Sequence, residues 1–135
     1  MQSILLIAES DAELRDAYRR FLSGCGYDVE TATDGLDCLE KLRRLMPAVC
    51  VLDRDLRWGG ADGVLAWLRE ERATSGVSVV LTAMAGNPPD VAGDIEPPVV
   101  QILTKPFGLA ALLKSVRGLM VRFHNALLVL LYACP

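Results

Sequence analysis

The chain has 135 residues, enough for one domain with its own hydrophobic core. Its composition, 52% hydrophobic and 23% charged, excludes a disordered chain, and its net charge of −3 argues against a broad basic surface for nucleic acid. The four cysteines form no C-x-x-C pair and the chain has one histidine, which argues against a zinc site. Scattered cysteines of this kind suit a reducing compartment.

Five segments indicate β-strands. Four are short apolar runs typical of strands buried on both faces, and the second in the chain alternates in polarity, as expected for a strand with one face less buried. In chain order they are Ile4–Ala8, Tyr27–Ala32, Ala48–Leu52, Val77–Leu81 and Val99–Leu103.

Helical patterns fall between these strands. The motif Ser10–Glu13 fits a capping box with Ser10 as the N-cap, and two glycines, Gly24 and Gly26, end the first helix. Asp34 is the predicted N-cap of the second helix, whose apolar stripe begins at Leu36 and which ends before Pro47. A third pattern covers Val64–Leu68, and the last carries apolar residues at helical spacing over Leu109–Met120.

The segment between Thr82 and Lys105 breaks this alternation. It holds four prolines and two glycines, which favour a loop with at most one helical turn near Asp90–Ile95. The whole pattern predicts an α/β fold, a doubly wound five-stranded parallel sheet in the flavodoxin-like order 2-1-3-4-5, with the fourth helix short or missing.

Chemistry-bearing residues follow four of the strands. Glu9, Ser10 and Asp11 follow the first, Asp53 and Asp55 the third, Thr82 the fourth, and Lys105-Pro106 the fifth. The carboxyl ends of parallel strands meet at one edge of the sheet, so these side chains are expected to converge. Carboxylates, a hydroxyl and a lysine suit phosphoryl transfer to a carboxylate with the help of Mg²⁺.

In this arrangement the sequence resembles the response-regulator receiver family, over roughly residues 2–121. The resemblance implies that Asp53, in VLDRD, accepts a phosphoryl group from a histidine kinase or phosphotransfer protein and loses it by slow hydrolysis. It implies that Thr82 and Lys105 contact the phosphoryl oxygens, that Glu9, Asp53 and the carbonyl of Asp55 hold Mg²⁺, and that the Lys105–Pro106 bond is cis. An unidentified downstream protein would then read the phosphorylated state.

The chain departs from the family pattern at several positions. The second acidic position is Ser10, the aromatic position before the lysine is Ile102, and the loop after Asp53 looks about two residues longer than the common form. Ser10 therefore keeps open a second hypothesis, a degenerate receiver that binds partners without phosphorylation. A third, a haloacid-dehalogenase-type phosphatase, is disfavoured because no acidic cluster follows Lys105. Trp58, in the long loop, could be an exposed contact or a lid.

The two ends of the chain bear on localisation and domain organisation. The start, MQSILLIAES, lacks the features of a signal peptide, and the longest apolar stretch, Ala126–Cys134, is too short to span a membrane. We therefore expect a cytoplasmic protein that binds neither membrane nor nucleic acid through this domain.

For the domain organisation, we expect a receiver domain over residues 1–122, and an apolar C-terminal extension or cut linker over 123–135. We expect the extension to continue the final helix and its end to pack on the domain itself or on a second copy, and the second arrangement would give a homodimer.

Overall fold

A computed structural model describes residues 3–71, 76–86 and 96–132 of the chain. In these ranges it contains five strands and four helices that alternate in sequence, except that β4 is followed directly by β5. In chain order they are β1 (Ile4–Ala8), α1 (Ala12–Gly24), β2 (Asp28–Ala32), α2 (Gly35–Leu45), β3 (Val49–Asp53), α3 (Gly60–Glu70), β4 (Ser78–Met84), β5 (Val99–Lys105) and α4 (Leu109–Tyr132).

The strands form one parallel sheet in the order β2-β1-β3-β4-β5, as the sequence predicts. Successive residues of β1 point to opposite faces, so Leu5 and Ile7 belong to one core and Leu6 and Ala8 to the other. The first core is covered by α1 and α4, the second by α2 and α3. This double cover is why the central strands read as continuous apolar runs.

Helix boundaries follow local chemistry in most places. Asp34 caps α2 by accepting a hydrogen bond from the Asp37 amide at 2.8 Å, and Met46, just before Pro47, adopts the left-handed conformation that ends the helix. Gly26 has a φ of 97°, which explains why the chain turns there after α1. These predicted boundaries are confirmed.

The predicted capping box at α1 is wrong. The Glu9 amide still donates to the Ala32 carbonyl at 3.1 Å, so strand pairing extends past β1 and the helix begins at Ala12. Asp11, not Ser10, is the N-cap, and its carboxylate accepts from the amides of Glu13 and Leu14 at 2.9 and 3.1 Å.

Two apolar residues lie outside the core that their patterns predict. Leu36 is 69% exposed although it was expected on the buried stripe of α2. The predicted last strand is buried only at Val99, whereas Val100 is 51% exposed, because β5 lies at the edge of the sheet. The proline-rich segment 87–95, including the predicted turn near Asp90–Ile95, lies outside the described residues.

Candidate functional site

Asp53 is the last residue of β3 and lies at the carboxyl edge of the sheet. Its side chain is almost fully buried, with 5% of the residue exposed. Its neighbour in register on β4 is Thr82, itself 1% exposed, so the hydroxyl and the carboxylate stand side by side on the same face of the sheet. The amide of Asp55 donates to Asp53 Oδ1 at 3.1 Å.

Lys105 joins Asp53 to a second buried carboxylate, Glu9. The Lys105 Nζ lies 2.7 Å from Glu9 Oε1 and 3.4 Å from Asp53 Oδ1. Glu9 is 3% exposed, and its other oxygen, Oε2, accepts from the Asp11 amide at 3.1 Å. The strand ends of β1, β3 and β5 thus bring two acids and one ammonium group together, as the sequence predicts.

The charges in this cluster do not balance. Burial raises the pKa of Asp53 above its ordinary value, and the nearby Glu9 carboxyl raises it further, against the smaller opposing effects of the Asp55 amide and of Lys105. Burial alone would lower the pKa of Lys105, but its hydrogen bond to Glu9 and the charges of both acids outweigh burial and raise it. The site therefore holds more negative charge than one lysine neutralises, which favours binding a further cation.

The backbone around the site is held by contacts that the sequence patterns did not predict. Ser10 Oγ accepts from the Arg57 amide at 2.9 Å, and the Gly35 amide donates to the Arg57 carbonyl at 2.8 Å. The backbone N–H and C=O of Arg57 in the long loop are therefore both hydrogen-bonded, one to Ser10 in the segment after β1 and the other to the start of α2. The Arg15 guanidinium also fixes the backbone after β1, because it donates to the carbonyls of Glu9 and Ser10 at 2.9 and 3.4 Å.

The segment after Lys105 is fixed by aromatic packing. The Lys105–Pro106 peptide bond is cis, as the family resemblance implies. The ring of Phe107 stacks on Tyr18 of α1, with centroids 5.7 Å apart and planes inclined by 22°. This contact ties the end of β5 to α1 and so restricts the backbone that carries the lysine.

A cleft of about 570 Å³ opens over these side chains, and its polar lining includes Glu9, Asp11, Asp53, Asp55 and Lys105 together with Ser10 and Arg57. The Glu9 and Asp53 carboxylates and the Asp55 carbonyl are hard oxygen donors of the kind that Mg²⁺ prefers. Asp11 Oδ1 is engaged in capping α1, and Ser10 supplies a hydroxyl where a carboxylate would add charge. Among the described residues no three acidic, histidine or cysteine side chains are arranged to hold a metal. The donor set fits a magnesium ion with two carboxylates.

Trp58 follows Arg57 in the fixed loop. It is 74% exposed and has a positive φ of 58°, in the left-handed region that bulky residues rarely adopt. Trp58 is not among the residues that line the cleft over Asp53, and its role as an exposed contact or a lid stays a prediction. The other predicted site residues all lie at the one sheet edge.

Comparison with known proteins agrees with this geometry. The response regulator receiver domain family matches residues 5–117, and the chain belongs to this family. It is a receiver domain of the two-component signalling kind.

Two curated relatives show the same kinship. The transcriptional regulatory protein CseB of Streptomyces coelicolor is 33% identical over 125 residues, covering 93% of this chain and 52% of the relative. The response regulator MprA of Mycobacterium leprae is 37% identical over 120 residues, covering 87% and 51%. The chain therefore spans about half the length of these relatives.

Solved structures share the fold at lower identity. The receiver domain of a LuxO repressor protein from Vibrio parahaemolyticus superposes with a TM-score of 0.85 at 22% identity, covering 96% of this chain and 98% of that one. A CheY-like receiver domain protein from Methanospirillum hungatei gives a TM-score of 0.81 at 22% identity, covering 93% and 99%. In the described part of the chain no helix is both long and apolar enough to cross a membrane.

Proposed function

We propose that this receiver domain is phosphorylated on Asp53 by a histidine kinase or phosphotransfer protein in a Mg²⁺-dependent reaction. One observation carries the proposal. Asp53 is a buried carboxylate at a strand end that lines a polar cleft, with the Lys105 ammonium 3.4 Å from Oδ1. A carboxylate in this setting has both the access and the cationic surroundings that an acyl phosphate requires.

The reaction balances without further reagents. A carboxylate oxygen of Asp53 attacks the phosphorus of a phosphohistidine, the P–N bond breaks, and the imidazole leaves with the electron pair and takes a proton from solvent. Lys105, whose Nζ lies 3.4 Å from Asp53 Oδ1, would pair with an incoming phosphoryl oxygen, and the hydroxyl of Thr82, the neighbour of Asp53 in register on β4, would bind another. Water then hydrolyses the acyl phosphate slowly and resets the domain.

Magnesium would be held by Glu9, Asp53 and the carbonyl of Asp55. When bound, it offsets the repulsion between these acids and the phosphoryl group. The protein's own residues hold Glu9 in position before phosphoryl transfer. Lys105 stabilises the negative charge of Glu9, and the Asp11 amide orients its carboxylate.

The test is intact-protein mass spectrometry after incubation with acetyl phosphate and Mg²⁺. The wild-type chain should gain one phosphoryl group, and Asp53→Asn should gain none, because the amide is isosteric but a poor nucleophile. Asp28→Asn is the matched control, since Asp28 is an exposed acid at the start of β2, and it should be phosphorylated like the wild type. Phosphorylation that persists in Asp53→Asn would refute the assignment.

A second candidate is a receiver that binds its partners without phosphorylation. The observation that favours it is the hydroxyl of Ser10, which contacts the Arg57 amide and adds no charge to the site. The same experiment separates the two functions, because this candidate predicts no mass gain in the wild-type chain even at high Mg²⁺.

A further inference from the structure

Arg57, in the long loop after β3, lines the same cleft as Asp53 and Lys105, and the phosphoryl transfer described above gives it no role. Its backbone is fixed on both sides, because its amide donates to Ser10 Oγ at 2.9 Å and its carbonyl accepts from the Gly35 amide at 2.8 Å. The arginine side chain therefore starts from a fixed position beside the cleft.

The backbone directly after Arg57 makes a strained turn. Trp58, Gly59 and Gly60 all have a positive φ, of 58°, 94° and 62°. Glycine adopts this conformation at little cost, but a tryptophan there is strained, and such strain is concentrated at functional sites. Trp58 itself is not among the residues that line the cleft, whereas Arg57 is. The residue that this turn holds at the cleft is therefore the arginine.

Two other basic side chains near the site are already engaged. Lys105 Nζ lies 2.7 Å from Glu9 Oε1 and 3.4 Å from Asp53 Oδ1. The Arg15 guanidinium donates to two backbone carbonyls after β1. The Arg57 guanidinium, in contrast, has no ion pair or hydrogen bond with another residue in the described part of the chain, and Arg57 is exposed. An anion that enters the cleft can therefore pair with it without breaking a contact seen in those ranges.

Ser10 accounts for the lack of an acidic partner at this point of the site. The Arg57 amide lies 2.9 Å from Ser10 Oγ, so a carboxylate at position 10 would stand next to the start of the arginine side chain and attract its guanidinium. A neutral hydroxyl exerts no such attraction. The serine that removes an acid from the site thus also leaves a cation of the site unpaired.

We propose that Arg57 binds the phosphoryl group that Asp53 receives, as a second cationic contact beside Lys105. The inference rests on the proposed function, because it adds a residue to the same site. A guanidinium presents two parallel N–H donors that match two phosphoryl oxygens, whereas an ammonium group acts as a point charge. No bond to Arg57 forms or breaks, and its charge offsets part of the negative charge that arrives with the phosphoryl group. Arg57 therefore matters most when Mg²⁺ is scarce.

The rate of phosphorylation by acetyl phosphate, followed by intact-protein mass spectrometry, is the first test. At subsaturating Mg²⁺, Arg57→Gln should lower the rate by about tenfold, which is the effect of losing one charge-assisted contact. Arg57→Lys should restore part of the rate, because it keeps the charge without the planar fork. Arg44→Gln is the matched control, since Arg44 is an exposed arginine of α2 that pairs with Glu40, and it should react like the wild type. A wild type that is phosphorylated no faster than Arg57→Gln would overturn the role of Arg57 and leave the proposed function intact.

Calorimetric titration with Mg²⁺ separates this role from a merely structural one. Because Arg57→Gln removes a positive charge from the cleft, its Mg²⁺ affinity should be unchanged or tighter by up to about threefold, the size of an exposed charge interaction. A side chain that only holds the loop in place predicts the opposite, since a loosened loop would weaken the metal site. Weaker Mg²⁺ binding by Arg57→Gln would therefore contradict the proposal.

Binding of inorganic phosphate tests the inference without any phosphoryl transfer. Asp53→Asn offers no nucleophile, so phosphate titrated into this variant in the presence of Mg²⁺ should bind reversibly, with NMR chemical shifts reporting the affinity. Adding Arg57→Gln should weaken phosphate binding by about tenfold, and adding Arg44→Gln should leave it unchanged. Equal affinities with and without Arg57, or no detectable phosphate binding, would overturn the inference. A wild-type chain that gains no phosphoryl group while Arg57 still governs phosphate binding would refute the proposed function alone.

Discussion

Asp53 and Glu9 are two buried carboxylates that share one lysine. Because burial and the neighbouring acid raise the pKa of Asp53, its carboxyl binds a proton more tightly in the folded chain than in the unfolded chain. By linkage, ionising Asp53 in the folded chain costs stability. This cost is absent at pH values below the pKa of Asp53 in the unfolded chain, and it is fully present above its pKa in the folded chain. In the absence of divalent cations, stability should fall as pH rises through that window.

Asp53→Asn tests this directly. The amide removes the charge, so the variant should be more stable than the wild type at neutral pH, and the difference should shrink as the pH approaches 4. Urea denaturation in EDTA across this pH range gives both free energies of unfolding. Saturating Mg²⁺ should raise the stability of the wild type more than that of the variant. A stability difference that does not change with pH would contradict the charge account.

Ser10→Asp tests the contribution of the missing carboxylate. The new side chain can still accept from the Arg57 amide, and it adds an anionic oxygen next to Glu9. A charge-assisted ligand is worth on the order of 1.5–3 kcal/mol, so Mg²⁺ affinity should rise by about one to two decades. Calorimetric titration measures the affinity, and phosphorylation by acetyl phosphate should become faster.

Ser10→Ala is the control for that change, since it removes the hydroxyl contact to the loop without adding charge. It should leave Mg²⁺ affinity unchanged or slightly weaker. Equal affinities of the wild type and Ser10→Asp would show that another acid, such as Asp11, already supplies the ligand.

Among the described glycines, Gly35 at the start of α2 has the closest neighbour, in the long loop after β3. A Cβ added at Gly35 would lie 2.2 Å from the Trp58 carbonyl oxygen, a backbone atom that cannot rotate away. Gly35→Ala should therefore destabilise the domain by roughly 1–3 kcal/mol, as overpacking does. Gly63→Ala is the matched control. That helical glycine has open space, and alanine there should stabilise by about 0.5–1 kcal/mol. Thermal unfolding of both variants tests this expectation. Equal changes in melting temperature would show that the loop moves aside without a cost in stability.

Elements and site residues differ in how far sequence predicts them. The apolar runs of β1 and β3 mark strands because both faces of the sheet are covered, and the strand ends then place Glu9, Asp53 and Lys105 together. Asp11 takes the capping role that was predicted for Ser10, since the capping motif does not show that strand pairing continues through Glu9. The contact from Ser10 to Arg57 joins residues 47 positions apart, and no local pattern carries such information.

For the whole molecule, the open question is where the receiver domain ends along α4. The sequence pattern predicts a boundary at residue 122. In the structure Phe123 is partly buried against the core formed with α1, whereas His124 and Asn125 are exposed. The helix continues without a break to Tyr132, so backbone structure does not mark the boundary and packing must define it.

Truncation on either side of Phe123 locates this boundary. A chain ending after His124 should unfold with a free energy within about 0.5 kcal/mol of the full chain at a dilution where the full chain is monomeric, because the removed residues are mainly exposed. A chain ending after Arg122 should lose roughly 1–3 kcal/mol, less than the 3–5 kcal/mol of a fully buried phenylalanine. Phe123→Ala in the full chain is the control and should reproduce that loss. If the two truncated chains are equally stable, Phe123 contributes nothing to the core and the boundary lies at residue 122.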